Sequence, residues 1–491
     1  MKKNQRRMVI VGGGIAGLCA GVYARKAGFD TLIVEMHGIA GGLATAWSRK
    51  GYTFENCVHW LVGSKRGGDL NGWWREVFDI DQITFYNSAI QAVLEGRGQS
   101  ITLYRNNDLL EKELLAKVPE DAVAIRGFMH DVRQLTSFRM PGGGNFFEKA
   151  RSYLQALLHL PLLARASKVT VADYGQRFTN PLLRSYLGGS MGELSAIAIL
   201  FSFAWMNGGN GGYPVGGSRR MIALIEENYR RLGGEIRFNA HVNRIAVSDG
   251  LATGVVLDSG EEIPADLVVS AADGHATLFD MLGERYLDEG TKRRYAELKL
   301  FPSYLMVSFG VAREFRGEPE LLAILLDEPI RIDPMTTLDS ATFRIFHYDP
   351  TLAPEGKTAI VSFIATYDHK YWVGLSENDR ERYEAEKRRV ADAILAVLER
   401  RYPQSRDKIE VVDVATPATV IRYTNNWQGS MEGWLLTPKT GAKQLPCSVP
   451  GIRNFYMVGQ WISPGGGLPS GLITARNVIA KVVRDVQRGQ L

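Results

Sequence analysis

Cysteine is scarce in this 491-residue chain: it holds three, Cys19, Cys57 and Cys447, widely spaced. No CxxC occurs and no Cys/His cluster has zinc spacing, so a disulfide scaffold and a structural metal site are excluded and a reducing compartment is expected. No apolar run reaches the ~18 residues that span a bilayer, which argues against an integral membrane protein. The chain has no nucleophile elbow, no P-loop and no HExxH. It also lacks internal repeats and low-complexity linkers. Charge of one sign is weak: the formal net charge is +5, and the Arg pairs at 6–7, 219–220 and 230–231 are dispersed. Solvated helix faces account for such pairs, so no nucleic-acid surface is expected.

What is present is an ordinary globular balance, 45% hydrophobic and 23% charged, with 52 glycines. The length suits two to three domains or one interleaved pair, and so much glycine suggests several tight backbone approaches to a ligand. The start, "MKKNQRRMVIVGGGIAGLCAGVYA", imitates a signal peptide. It reads better as a buried strand, a glycine turn and a helix, because the glycines fall in a fingerprint. "RMVIVGGG" is a short apolar strand, "IAGLCAGVYARKAG" a helix stopped by Gly28, and "DTLIVE" a second strand. Together they make a βαβ unit.

From about residue 79 to 203 the texture changes to strand-like pieces ("SAIQAVL", "SITLYR") followed by helical sequence. One part carries leucines at 154, 157, 158, 160, 162 and 163, flanked by Arg151, Arg165 and Lys168, with Pro161 expected to break or kink it. "GGSRRMIALIEENYRRLGGEIRF" restores a regular helix and strand, and "SDG" and "DSG" mark the turns of a following meander. Residues 301–425 hold further sheet strands and the charged helix "ENDRERYEAEKRRVADAILAVLERRYP". "NFYMVGQ" is a last buried strand, with a helix expected from about Leu472 to Val486. Nucleotide-binding elements thus recur at the start, middle and end. The expected fold class is α/β: a Rossmann-type domain (1–85, 206–300, 426–491) interleaved with a mixed α+β substrate domain (86–205 with a helical lid, and 301–425).

Gly12, Gly14 and Gly17 fit G-x-G-x-x-G directly after a strand. The first permits the tight turn, the second lets a pyrophosphate approach the backbone, and the third packs helix on strand. The helix then opens with Ile15 and Ala16, whose end offers free N–H groups and positive dipole to an anion. Glu35, closing the second strand, is spaced to accept hydrogen bonds from an adenosine ribose, and an acid there disfavours a 2′-phosphate. Gly41 and Gly42, shortly before Thr45, suggest a second backbone stretch beside the same ligand.

"VIVGGGIAGL", "VEMHGIAGGLATAW" and "GYTFENCVHWL" together resemble the flavin-binding start of the phytoene desaturase family, which includes carotenoid isomerases and retinol saturases within the amine-oxidase-like flavoproteins. "YPVGGSRRMIALIEENYRRLGGEIRFNAHVNRI" resembles its central segment, and "IRNFYMVGQWISPGGGLPSGLITARNVI" its C-terminal signature. The resemblance implies FAD, with Gly459, Gly466, Gly467 and Leu468 near the ribityl chain and pyrimidine edge, and Val242 meeting adenine through its backbone. It implies His59 near the reactive face, the best single candidate for acid–base work, although a lone His beside Trp also serves as a structural hydrogen-bonder. Two residues depart from the superfamily pattern: Leu43 stands where Arg is common, and Gln460 where an acid is common, though Gln still hydrogen-bonds a ribityl hydroxyl.

The implied reaction is hydride exchange between flavin N5 and a carbon of an apolar polyene or isoprenoid, in the direction of desaturation, saturation or isomerisation. Oxygen, a quinone or a diffusing reductant are the open electron partners. The leucine stretch reads either as a core helix pair or as a lid touching the cytoplasmic face of a membrane peripherally. An amine oxidase and a non-catalytic prenyl or lipid carrier on the same fold are the rival functions.

Overall fold

The computed structural model describes residues 5–138, 157–189 and 191–489. At its centre lies a five-stranded parallel sheet in the order Phe455–Met457, Leu267–Ser270, Arg7–Val11, Asp30–Val34, Glu235–Arg237. The middle strand pairs on both sides, Val9 with Val268 and with Leu32. A strand flanked this way must be apolar on both faces, and Met8, Val9 and Ile10 are fully buried. The sheet therefore draws its strands from the beginning, middle and end of the chain, the α/β arrangement expected from the sequence.

Helices Ile15–Lys26, Gly217–Arg231 and Gly467–Gln487 pack on this sheet. The first and last lie against each other so closely that a Cβ at Gly471 would stand 2.9 Å from Ile15 Cγ2. The last helix begins at Gly467, five residues before the expected Leu472. Pro469 does not prevent this, because a first-turn residue needs no intrahelical N–H bond. Beside the sheet, Val242–Ser248, Leu251–Leu257 and Glu262–Pro264 form the antiparallel meander that the turn signals announce.

A second, seven-stranded sheet runs Ile409–Ala415, Ser303–Val311, Thr358–Thr366, Thr337–Ile345, Leu321–Arg331, Ile90–Gly96, Gln99–Tyr104. All its pairings are antiparallel except Leu321–Arg331 with Ile90–Gly96. All nine residues of Ser303–Val311 are buried. Helix Arg380–Arg401 covers part of it with Val390, Ile394 and Leu398. Helices Ala122–Thr136 and Ala196–Asn207 share a separate core through Phe128 and Phe203, whose rings meet edge-on at 5.0 Å.

Residues 157–166 are helical, and the helix runs on through Pro161 instead of ending there. Leu162 is buried, whereas Leu157, Leu158 and Leu160 are 56%, 75% and 50% exposed. Leu154 and Arg151 lie outside the described residues. No helix among the described residues is long and apolar enough to cross a membrane.

Candidate functional site

The N-terminal turn is shaped by what a side chain cannot enter. Gly12 has φ +94°, which only glycine adopts without strain, and its N–H bonds Val34 O at 2.8 Å. A Cβ at Gly17 would lie 1.9 Å from Gly12 O. Gly14 caps the first helix with no side-chain hydrogen bond and no acid in the first turn. That helix end is free to receive an anion.

Glu35 stands beside this turn, 6% exposed. Its Oε2 accepts Gly13 N–H at 2.6 Å and its Oε1 accepts His37 N–H at 2.8 Å. Burial raises its pKa, opposed by those two backbone donors. Each oxygen keeps a further lone pair for a hydroxyl donor. Gly41 and Gly42, at φ +125° and +60°, run alongside: Gly41 N–H bonds Gly13 O at 2.9 Å, and Gly14 and Gly41 form a parallel bridge. Two sequence-distant glycine pairs are thus one structural unit.

The C-terminal turn carries four left-handed glycines, Gly459, Gly465, Gly466 and Gly467. Gly459 N–H bonds Thr474 Oγ1 at 2.8 Å, and a Cβ at Gly459 would stand 3.2 Å from Ala16 Cβ. The two turns therefore meet. They line a single elongated cavity: Gly12, Gly14, Ile15 and Ala16 from the first, Glu35 and Gly41 to Leu43 beside it, and Gly459, Gln460, Gly467 and Leu468 from the last.

Five residues singled out from sequence stand elsewhere. Gly17 and Gly466 do not line the cavity; they allow the close packing around it. Val242 is buried at the start of the meander, off the cavity wall. Thr45 lines a neighbouring cleft of about 350 Å³ that shares Glu35, Gly42 and Leu43 and reaches across to Tyr304 and Val420. His59 lines neither; its ring packs edge-on to Phe363 at 5.2 Å. Its Nε2 is buried without a partner, and burial beside Arg344 holds its pKa well below the ordinary value. His59 is thus a neutral ring at physiological pH.

Sequence reasoning missed two acids in the cavity wall. Asp273, after strand Leu267–Ser270, accepts Ala276 N–H and Trp427 N–H, each at 2.8 Å, and burial pushes its pKa to about 7. Glu432 sits against the C-terminal turn: a Cβ at Gly466 would lie 2.4 Å from its Cβ. Burial pushes Glu432 to about 7 as well. No motif surrounds it; only its place shortly before the last glycine turn hints at a role.

A parallel sheet with two helix N-termini and a ribose-spaced acid converging on one groove defines a dinucleotide-type flavoprotein. The chain belongs to the flavin-containing amine oxidoreductase family, whose model matches residues 15–482. It is an FAD-dependent oxidoreductase, and the sequence resemblance to phytoene desaturases and carotenoid isomerases is borne out. Prolycopene isomerase 2 of an Oncidium hybrid cultivar is 27% identical across 96% of this chain and 83% of its own length. 4,4'-Diapophytoene desaturase of Methylomonas sp. is 25% identical across 99% and 96%. An oxidoreductase from Methanosarcina mazei shares the fold, with a TM-score of 0.61 at 18% identity over 96% of this chain and 100% of that one. The residues present fit FAD, since glycines clear space where the chain approaches closest and unpaired helix N-termini face the groove.

Proposed function

We propose that this enzyme oxidises, reduces or isomerises a carbon–carbon bond of a polyene or isoprenoid. The observation that carries the reading is one cavity lined by both glycine turns, in a chain whose relatives act on carotenoids. FAD, when bound, supplies hydride exchange at N5. Glu35 holds the adenosine ribose, and the first helix N-terminus with Gly41 and Gly42 receives the pyrophosphate. Gly459, Gln460, Gly467 and Leu468 hold the ribityl chain and the pyrimidine edge, where the N-terminus of helix Gly467–Gln487 favours negative charge. Leu43 leaves the phosphates to backbone donors. His59, off the cavity and packed on Phe363, serves as an uncharged structural ring.

The substrate reaches the site from a membrane surface. Leu157, Leu158 and Leu160 project outward from helix 157–166, and exposed Lys168 lies just beyond them for the headgroups, while Arg165 is held on Asp131 at 2.6 Å. Three free cysteines suit the reducing, cytoplasmic side.

The test is anaerobic. Purified yellow protein is mixed with carotenoids, retinoids and amines, and flavin absorbance is followed. Bleaching by polyenes, or recolouring of the reduced form by them, supports the reading; bleaching by amines alone refutes it.

A further inference from the structure

We infer that Glu432 is the proton-transfer residue of this site, exchanging a proton with the substrate carbon next to the one that exchanges hydride. The inference rests on the polyene reading above. Five titratable side chains other than Glu432 line the cofactor cavity: Glu35, Cys57, Asp273, His241 and Tyr423, the last half-exposed and packed edge-on to His37. Three are committed to structural partners. Glu35 accepts two backbone donors, Asp273 accepts two more, and His241 Nδ1 bonds Asp258 at 2.7 Å. Burial and the carboxylates of Glu55 and Glu432 drive the Cys57 thiol pKa up, so it stays neutral and unreactive.

Glu432 differs from all of these. Among the described residues, no donor hydrogen-bonds its carboxyl group, although the residue is only partly exposed in the cavity wall. Its backbone is fixed from both sides, Met431 N–H on Pro302 O and Phe301 N–H on Gly433 O. Its Cβ is pressed on Gly466, and its Oε1 lies 3.9 Å from where a Cβ of Gly467 would be. The carboxyl thus looks onto the turn where the last helix begins. Such a carboxyl, without a protein partner and with a pKa near 7, is suited to general acid–base work, because proton transfer is most efficient when catalyst pKa and operating pH agree. His59 cannot take the role because it stands off the cavity and its pKa, held well below the ordinary value, makes it a poor base.

In desaturation one carbon loses its hydrogen as hydride, with both bonding electrons, to oxidised FAD. The adjacent carbon loses its hydrogen as a proton to a Glu432 carboxylate oxygen, and that bond's electron pair becomes the second bond between the carbons. Saturation runs the same transfers backwards, with Glu432 starting protonated.

The test compares wild type, Glu432→Gln and Glu432→Asp as FAD-loaded proteins. FAD retention should be equal in all three, which confirms folding. The absorbance of the bound flavin should titrate near pH 7 in wild type, reporting the neighbouring charge, and should lose that step in Glu432→Gln. With a carotenoid that wild type converts, Glu432→Gln should lose kcat by at least about a hundredfold with KM little changed, and Glu432→Asp should recover part of it. In D2O, wild type run in the saturating direction should place solvent deuterium on the carbon that receives the proton. A Glu432→Gln enzyme that keeps kcat within about threefold and the same pH profile overturns the role of Glu432 alone. A wild type that retains FAD yet acts on no polyene overturns both this inference and the proposed function.

Discussion

Replacing Glu35 tests the adenosine end of the groove most directly. In Glu35→Ala the ribose loses a carboxylate acceptor, and a hydrogen bond to a charged group contributes about 1.5–3 kcal/mol. The variant also orphans the N–H groups of Gly13 and His37, now bonded at 2.6 and 2.8 Å. Gly13 lies inside the first glycine turn, so its freed donor loosens the loop proposed to meet the pyrophosphate. Together these losses come to about 3 kcal/mol, a weakening of FAD binding by roughly two orders of magnitude. Glu35→Gln is more informative still. Its side chain has one acceptor oxygen and one NH2, so one of the two backbone donors must face another donor. It should therefore weaken FAD binding nearly as much as Ala despite matching the shape. Quenching of FAD fluorescence on titration into apoprotein measures both. An affinity for either variant within threefold of wild type would show that Glu35 serves the turn alone and holds no ribose.

Three further outcomes are expected. Glu432, raised from its ordinary value to about 7, prefers its neutral form in the folded chain. Its contribution to apoprotein stability is therefore full below about pH 4.5 and lost as pH rises through 7, so Glu432→Gln should be more stable than wild type at pH 8, by roughly 2–3 kcal/mol, and little different at pH 5, as read by urea unfolding. Gly17→Ala places a methyl 1.9 Å from Gly12 O, so it should cost about 3 kcal/mol and abolish FAD retention; a soluble yellow variant with unchanged Tm contradicts the turn geometry. Leu158→Asp, at a position 75% exposed, should leave Tm within a degree or two but reduce recovery with floated liposomes, and equal flotation refutes the membrane contact.

The parts legible in the sequence are those whose signal is local. Strand, glycine turn, helix and acid follow one another within Arg7 to Glu35, so the first βαβ unit is readable without tertiary information. The α/β class followed from finding similar elements at three places along the chain. Ile90–Gly96 looks like an ordinary strand, but its parallel pairing of Val93 with Leu322 depends on a partner more than two hundred residues away. Pro161 reads as an interruption, yet residues on both sides of it are helical, whereas Pro469 sits in the first turn of its helix, where a missing N–H forfeits no bond the helix needs. Glu432 left no trace in pattern or spacing. Its setting is made by Gly466, Cys57 and Phe301, which only folding assembles around it.

The placement of Phe455–Met457 at one edge of the parallel sheet, against Leu267–Ser270, has a consequence for biosynthesis. Until that edge strand docks, strands Arg7–Val11, Asp30–Val34, Glu235–Arg237 and Leu267–Ser270 can already assemble, but the groove has only one of its two jaws. The partly folded chain is therefore a loose receptor, and the vitamin-derived prosthetic group is locked in only once the edge strand Phe455–Met457 is in place.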